Sequence, residues 1–163
     1  MAIQNLQAST AIEVIPSDTI DIPNPVAIVA SGTTTSVGSG ANDLIDSAAT
    51  FTDGSVKIGD IFYDNTNLVI DTIAAIVDDN NITLTSGTVV ADAASYTIYD
   101  HTAKSAPSLY VGVSGDISVE MAGTGSSIVL KGVTAGSTLP INVTRVNSTG
   151  TVTIVAGDII ALF

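Results

Sequence analysis

The stretch Leu68-Val69-Ile70-Asp71-Thr72-Ile73-Ala74-Ala75-Ile76-Val77-Asp78-Asp79-Asn80-Asn81-Ile82-Thr83-Leu84-Thr85 decides the fold class. Its first ten residues are long enough for a helix. Six of those ten are Val, Ile or Thr, side chains that lose rotamer freedom in a helix and fit a pleated surface. The four polar residues Asp78 to Asn81 then form a turn signal, and the alternation resumes at Ile82-Thr83-Leu84-Thr85. The stretch reads as a β-hairpin, not a helix.

The rest of the chain repeats that choice. Among 163 residues there are 21 Thr, 20 Ile and 18 Val but only 8 Leu, with 3 Lys, 2 Glu and 1 Arg. The usual fillers of helix surfaces are nearly missing, which excludes a helical bundle and argues against an α/β enzyme. The length suits one domain or two small ones. The expected class is all-β. With no Cys, the fold needs no disulfide or thiolate metal site.

The formal charge is −12, from 14 Asp and 2 Glu against four bases. So acidic a chain lacks the basic footprint that nucleic acid requires, and it avoids anionic membranes. No stretch reaches the roughly 18 apolar residues of a membrane span. The start, Met1-Ala2-Ile3-Gln4-Asn5, has no positive region and does not read as a secretory signal.

The charge is unevenly spread. Residues 36–100 hold ten acids and one base, Lys57, for −9, and the remainder carries −3. This shift marks an inserted acidic module, 36–100, inside a host domain made of 1–30 and 104–163. The two crossings between them must lie close together. Residues 1–10 read as a loose arm, Ala11–Ile15 as the first strand, Val26–Ala30 as a buried strand and Ser31–Gly40 as a flexible connection. Ser95–Tyr99 reads as an alternating strand closing the module. In the host, Ser108–Val113, Ile117–Met121 and Ser126–Lys131 read as strands, and Leu139–Val146 as one cleanly alternating strand. The apolar end, Ile159-Ile160-Ala161-Leu162-Phe163, is expected to pair in a sheet.

Catalytic chemistry is scarce. The single His101 follows Asp100 in a connection, where it is either an Asp-oriented base or a solvated residue. Paired carboxylates could serve a glycosidase. However, the Asp residues fall in turns, where they cap and bend backbone, and three Phe, four Tyr and no Trp leave few sugar platforms. The chain is therefore expected not to be an enzyme. No cofactor is expected: the oxygen-rich turns Asp78–Asn81 and Asp60–Asn65 lack the spacing of an EF-hand loop and read first as acidic turns in water, with Ca²⁺ binding as the lesser reading. Gly123-Thr124-Gly125 and Gly38-Ser39-Gly40 lack the Lys of a phosphate-binding loop. Arg145, the only Arg, sits on an apolar strand as a solvent-face residue or an interface anchor.

Three outer segments carry a resemblance. They are Val14-Ile15-Pro16-Ser17-Asp18-Thr19 with Ile22-Pro23-Asn24-Pro25; Leu109-Tyr110-Val111-Gly112-Val113-Ser114-Gly115-Asp116-Ile117; and Gly132 to Val146 with Thr149-Gly150 and Asp158 to Phe163. In this order they resemble small virion proteins of tailed bacteriophages and gene-transfer-agent particles, of the head spike-base or capsid decoration type. In the short family form the first segment runs almost directly into the second. Here residues 31–103 intervene, and they are similar to a β-rich module of other phage structural proteins.

The resemblance implies a capsid-docking β-sandwich interrupted by a small β-barrel or sandwich, with no catalytic residues. It implies a decoration (cement) or head-spike-base protein on the capsid exterior, made in the host cytoplasm. The implied partners are the major capsid protein, further copies in a homotrimer, and a head fibre or spike protein. The candidate interface is Arg145, Leu139, Ile141, Val143, Tyr110 and Phe163. The alternative is a receptor- or glycan-binding fibre module.

Overall fold

The computed structural model describes residues 8–37, 40, 42–86 and 92–163. It is all-β, with fourteen described strands and one 3₁₀ turn, Phe51–Asp53. The strands are β1 (Ala11–Glu13), β2 (Ile28–Thr33), β3 (Ser36–Val37), β4 (Asp43–Ile45), β5 (Ile61–Asp64), β6 (Val69–Asp78) and β7 (Asn81–Leu84). They continue as β8 (Ser95–Tyr99), β9 (Ser108–Val111), β10 (Gly115–Met121), β11 (Ser127–Val133), β12 (Ser137–Leu139), β13 (Val143–Val146) and β14 (Ile159–Leu162).

The chain divides into two compact units, residues 1–18 with 106–163, and residues 19–105. The insertion is thus larger than the charge shift marks: residues 19–30 belong with the acidic unit. The reason is pairing, since β2 runs antiparallel to β8 from Ile28↔Tyr99 to Thr33↔Ser95.

Unit 1 holds two sheets, ordered β1-β14-β9-β12 and β11-β10-β13. Leu109, Val111, Ile159 and Ala161 from the first and Ile117, Val119, Val143 and Val146 from the second are fully or almost fully buried. The C-terminal strand lies between β1 and β9, so the apolar end does pair in a sheet. Ser9 and Thr10 are no loose arm: both amides donate to Phe163 O, at 2.6 and 3.3 Å. Residues 1–7 lie outside the described residues. Leu139–Val146 is not one strand. β12 pairs with β9, β13 pairs with β10, and Pro140, which has no amide hydrogen, stands at the change of sheet.

Unit 2 is one seven-stranded sheet ordered β2-β8-β5-β6-β7-β4-β3. The hairpin read from residues 68–85 is there, as β6 and β7 joined through Asp79 and Asn80. The first and last strands of this order, β2 and β3, are separated in sequence only by Thr34 and Thr35. A sheet whose two rims belong to one short segment has to curl on itself. The corner shows how: Thr34 exchanges backbone bonds with the 93–94 segment, while the Thr35 amide donates to Ile45 O at 2.9 Å. Inside the curl lie Leu44, Phe51, Val56, Phe62, Ile73, Ile82, Leu84, Tyr96 and Ile98.

Three sequence expectations fail in this unit. Val26–Ala30 is not a buried strand, because β2 lies at a rim, with Ile28 more than half exposed. Ser31–Gly40 is not simply a connection, since it supplies the end of β2 and all of β3. The last four residues of β8 are all buried, instead of alternating, because β8 is central, flanked by β2 and β5.

Candidate functional site

Strand β11 forms one exposed edge of unit 1. This strand pairs only with β10, so one backbone edge is left open among the described residues. Ile128 lies opposite the buried Val119, on the core side, and Val129 lies opposite Ser118, on the other side. Successive strand residues point to opposite faces, yet Ile128 is 50% and Val129 40% exposed. At these two positions both faces of the edge strand are exposed, while Leu130 and Val133 further along are partly buried. Beside it, a Cβ on Gly150 would touch Val129 Cγ2 at 3.6 Å, and Val152 beyond it is also more than half exposed. Lys131 binds Asp116 across β10 at 2.8 Å, which neutralises the nearest charges.

The six candidate interface residues do not converge on that edge. Val143 is completely buried, a core residue of the sandwich and not a surface one. Leu139 stands opposite the buried Leu109 at the rim strand β12, on the core side, and is half-buried, as is Ile141. Tyr110 is exposed on the outer face of the four-stranded sheet, between Thr138 and Ile160. Phe163 is half-buried, its carbonyl holding Ser9 and Thr10. Arg145 lies in the other sheet, directly opposite Glu120, and its guanidinium pairs with that carboxylate. Its Nε also donates to Asn147 Oδ1 at 3.2 Å, so the head group is engaged within the unit.

Unit 2 contains a chemically distinct cluster. β5 and β8 are antiparallel, with Ile61 opposite Tyr99. One step beyond that pair stand Asp60 and Asp100, followed by His101. One ligand atom from each of the three lies within 4.8 Å of the others. Asp60 is 1% exposed. Its Oδ2 accepts the Lys57 amide at 2.8 Å, and its Oδ1 accepts the His101 amide at 3.2 Å and faces His101 Nδ1 at 2.8 Å. The imidazole lies against Gly59, where a Cβ would stand 3.6 Å from it.

Asp100 Oδ1 accepts the Thr102 hydroxyl and amide, at 2.6 and 2.8 Å. Those two bonds, with smaller help from the Lys57 and His101 charges, hold its carboxyl below the ordinary value. The sequence placed Asp100 beside His101, but the group that orients the ring is Asp60, 41 residues earlier. Two signals could have found it: the Gly59-Asp60 turn, and the antiparallel pairing of the strands that follow and precede it.

The acidic turns act as caps. Asp64 accepts Thr66 N, Asn67 N and Asn67 Nδ2 at 2.8 to 2.9 Å. Asp78 Oδ1 accepts Asn80 N at 2.8 Å, Asp79 accepts the Thr52 hydroxyl, and the Asn80 amide group reaches Ala49 O at 2.9 Å. An open depression of about 540 Å³ lies over this turn, lined by Ile45, Thr52 and Asp78 to Asn81. Most rings are withdrawn from the surface: Phe51, Phe62, Tyr63, Tyr96 and Tyr99 are all buried. No protein-family model matches the chain, no curated protein is significantly similar in sequence, and no solved structure is significantly similar in fold.

Proposed function

We propose that the chain is a structural protein of a tailed-phage or related particle, a capsid decoration or head-spike-base protein. Unit 1 docks on the major capsid protein and on further copies of itself, most simply in a trimer, on the exterior of the head. The observation that carries this reading is the β11 edge. An open strand edge with Ile128 and Val129 exposed on opposite faces is a template for another chain, and the one charge on the strand, Lys131, is tied to Asp116. The charge division supports it. Unit 1 has five acids against Lys131 and Arg145, and unit 2 has eleven against Lys57 and Lys104. The near-neutral unit suits a buried interface, and the acidic unit suits the solvated surface of a particle. The resemblance of the outer segments supports the phage assignment. The glycan-binding alternative is disfavoured by the withdrawal of the aromatic rings.

The test is to add purified protein to particles assembled without it and to follow co-sedimentation and thermal disassembly. Particles with the protein should disassemble at higher temperature. An Ile128→Lys, Val129→Lys double variant should remain folded by circular dichroism but lose co-sedimentation. Equal disassembly temperatures with and without the protein would overturn the cement role, and undiminished binding of the double variant would overturn the β11 interface.

A further inference from the structure

Asp60 and Asp100 stand one step beyond the last pair of the β5–β8 ladder, Ile61 and Tyr99, and Asp60 is 1% exposed. His101 sits with them, its Nδ1 2.8 Å from Asp60 Oδ1. From the juxtaposition of Asp60, Asp100 and His101 we infer that this cluster is a binding site for a divalent transition cation of the zinc type.

The donor set fits. Two carboxylates and one neutral imidazole carry −2, which one divalent ion cancels, and mixed O/N ligands suit Zn²⁺, Co²⁺ or Mn²⁺. Two ligand atoms about 2.1 Å from a tetrahedral ion are about 3.4 Å apart, so Asp60 Oδ1 and His101 Nδ1, 2.8 Å apart, open by about 0.6 Å to admit one. The ion takes the place of the hydrogen bond between these two atoms. Asp100 Oδ2, which takes part in neither Thr102 bond, supplies the third ligand atom. The remaining positions on the ion belong to water, since His101 is about two-fifths exposed. The ion clamps the start of β5 to the exit of β8.

The experiment titrates the intact, untagged chain with Zn²⁺ by calorimetry and follows the imidazole resonances of His101, the only histidine. Expected are one strong Zn²⁺ site per chain and a shift of the His101 resonances that saturates at one equivalent. Asp100→Asn, which can keep the Thr102 bonds through its carbonyl, should bind at least tenfold more weakly. His101→Gln should lose the site. Lys57→Gln, which removes a competing positive charge, should bind as tightly or more tightly. Asp78→Asn, outside the cluster, should leave the affinity unchanged, and Ca²⁺ should not displace Zn²⁺. Failure to bind at millimolar Zn²⁺ would overturn the site. So would equal affinity in Asp100→Asn, or loss of affinity in Asp78→Asn, either of which would mean diffuse binding to the acidic surface.

Discussion

The Tyr96 hydroxyl donates a 2.8 Å hydrogen bond to Asp46 Oδ2 inside the curled sheet of unit 2, where both residues are buried. The backbone of Gly32 closes the space beside them. A Cβ there would stand 2.8 Å from the phenol oxygen and closer still to Asp46 Oδ2. Burial, the bond to Asp46 and its charge all push the phenol pKa up, so Tyr96 is the donor across the accessible pH range. Tyr96→Phe leaves Asp46 Oδ2 without that donor and should destabilise unit 2 by about 1–3 kcal/mol. Gly32→Ala forces the pair apart and should cost about as much through overpacking. Urea unfolding followed by circular dichroism checks both, and an unchanged midpoint for either would contradict this account.

Asp18 makes an acid-sensitive tie in unit 1. Its carboxylate accepts the Thr149 hydroxyl at 2.7 Å and the Thr149 amide at 2.9 Å. These bonds lower its pKa from 3.8 to about 2. A carboxyl depressed in the folded state adds stability above its unfolded pKa and loses it as pH falls through the folded one. The Asp18–Thr149 tie is therefore at full strength above pH 3.8 and released toward pH 2. An NMR titration should find Asp18 near the lower value, and Thr149→Val should move it back toward 3.8.

Glu120 and Arg145 face each other in register, with only 21% and 18% of their side chains exposed. Such a pair is less screened than a surface ion pair. A double-mutant cycle with Glu120→Gln and Arg145→Met should give a coupling of about 1 kcal/mol, at the top of the range for exposed pairs. A coupling near zero would mean that the pair adds nothing to the stability of unit 1.

Thr34 fastens the corner of unit 2. Its Oγ1 accepts the Ala94 amide at 2.9 Å, and the residue is 2% exposed. Thr34→Val keeps the shape and removes the acceptor, so it should lower stability by about 1–3 kcal/mol. Thr34→Ser, which keeps the oxygen, should recover most of the loss in thermal denaturation.

Fold class was legible because it rests on local chemistry. The β-branched content of residues 69–77 and the turn at 78–81 fixed the hairpin without reference to anything distant. The errors came where neighbours in space override local pattern. Val26–Ala30 looks like core, and its exposure follows from a rim position that no local signal encodes. Leu139–Thr144 alternates, yet Pro140 falls where the chain passes from one sheet to the other. The pairing of His101 with Asp60 was hidden for the same reason: it depends on the register of β5 against β8. Val143 was misplaced because alternation says that one face is buried without saying which.

The corner at Thr34 and Thr35 also bears on time. Residues 28–37 supply both rims of one sheet, so they cannot settle until their neighbours β8 and β4 are each in place, and Thr34 meets Ala94 across 60 residues of chain. Contacts of such sequence separation form late and slow folding. The same segment is then a latch. While it holds, the two rims cannot separate, and its amides should exchange with solvent only as fast as the whole unit opens. How long unit 2 withstands heat or protease is set by the rate at which that latch lets go.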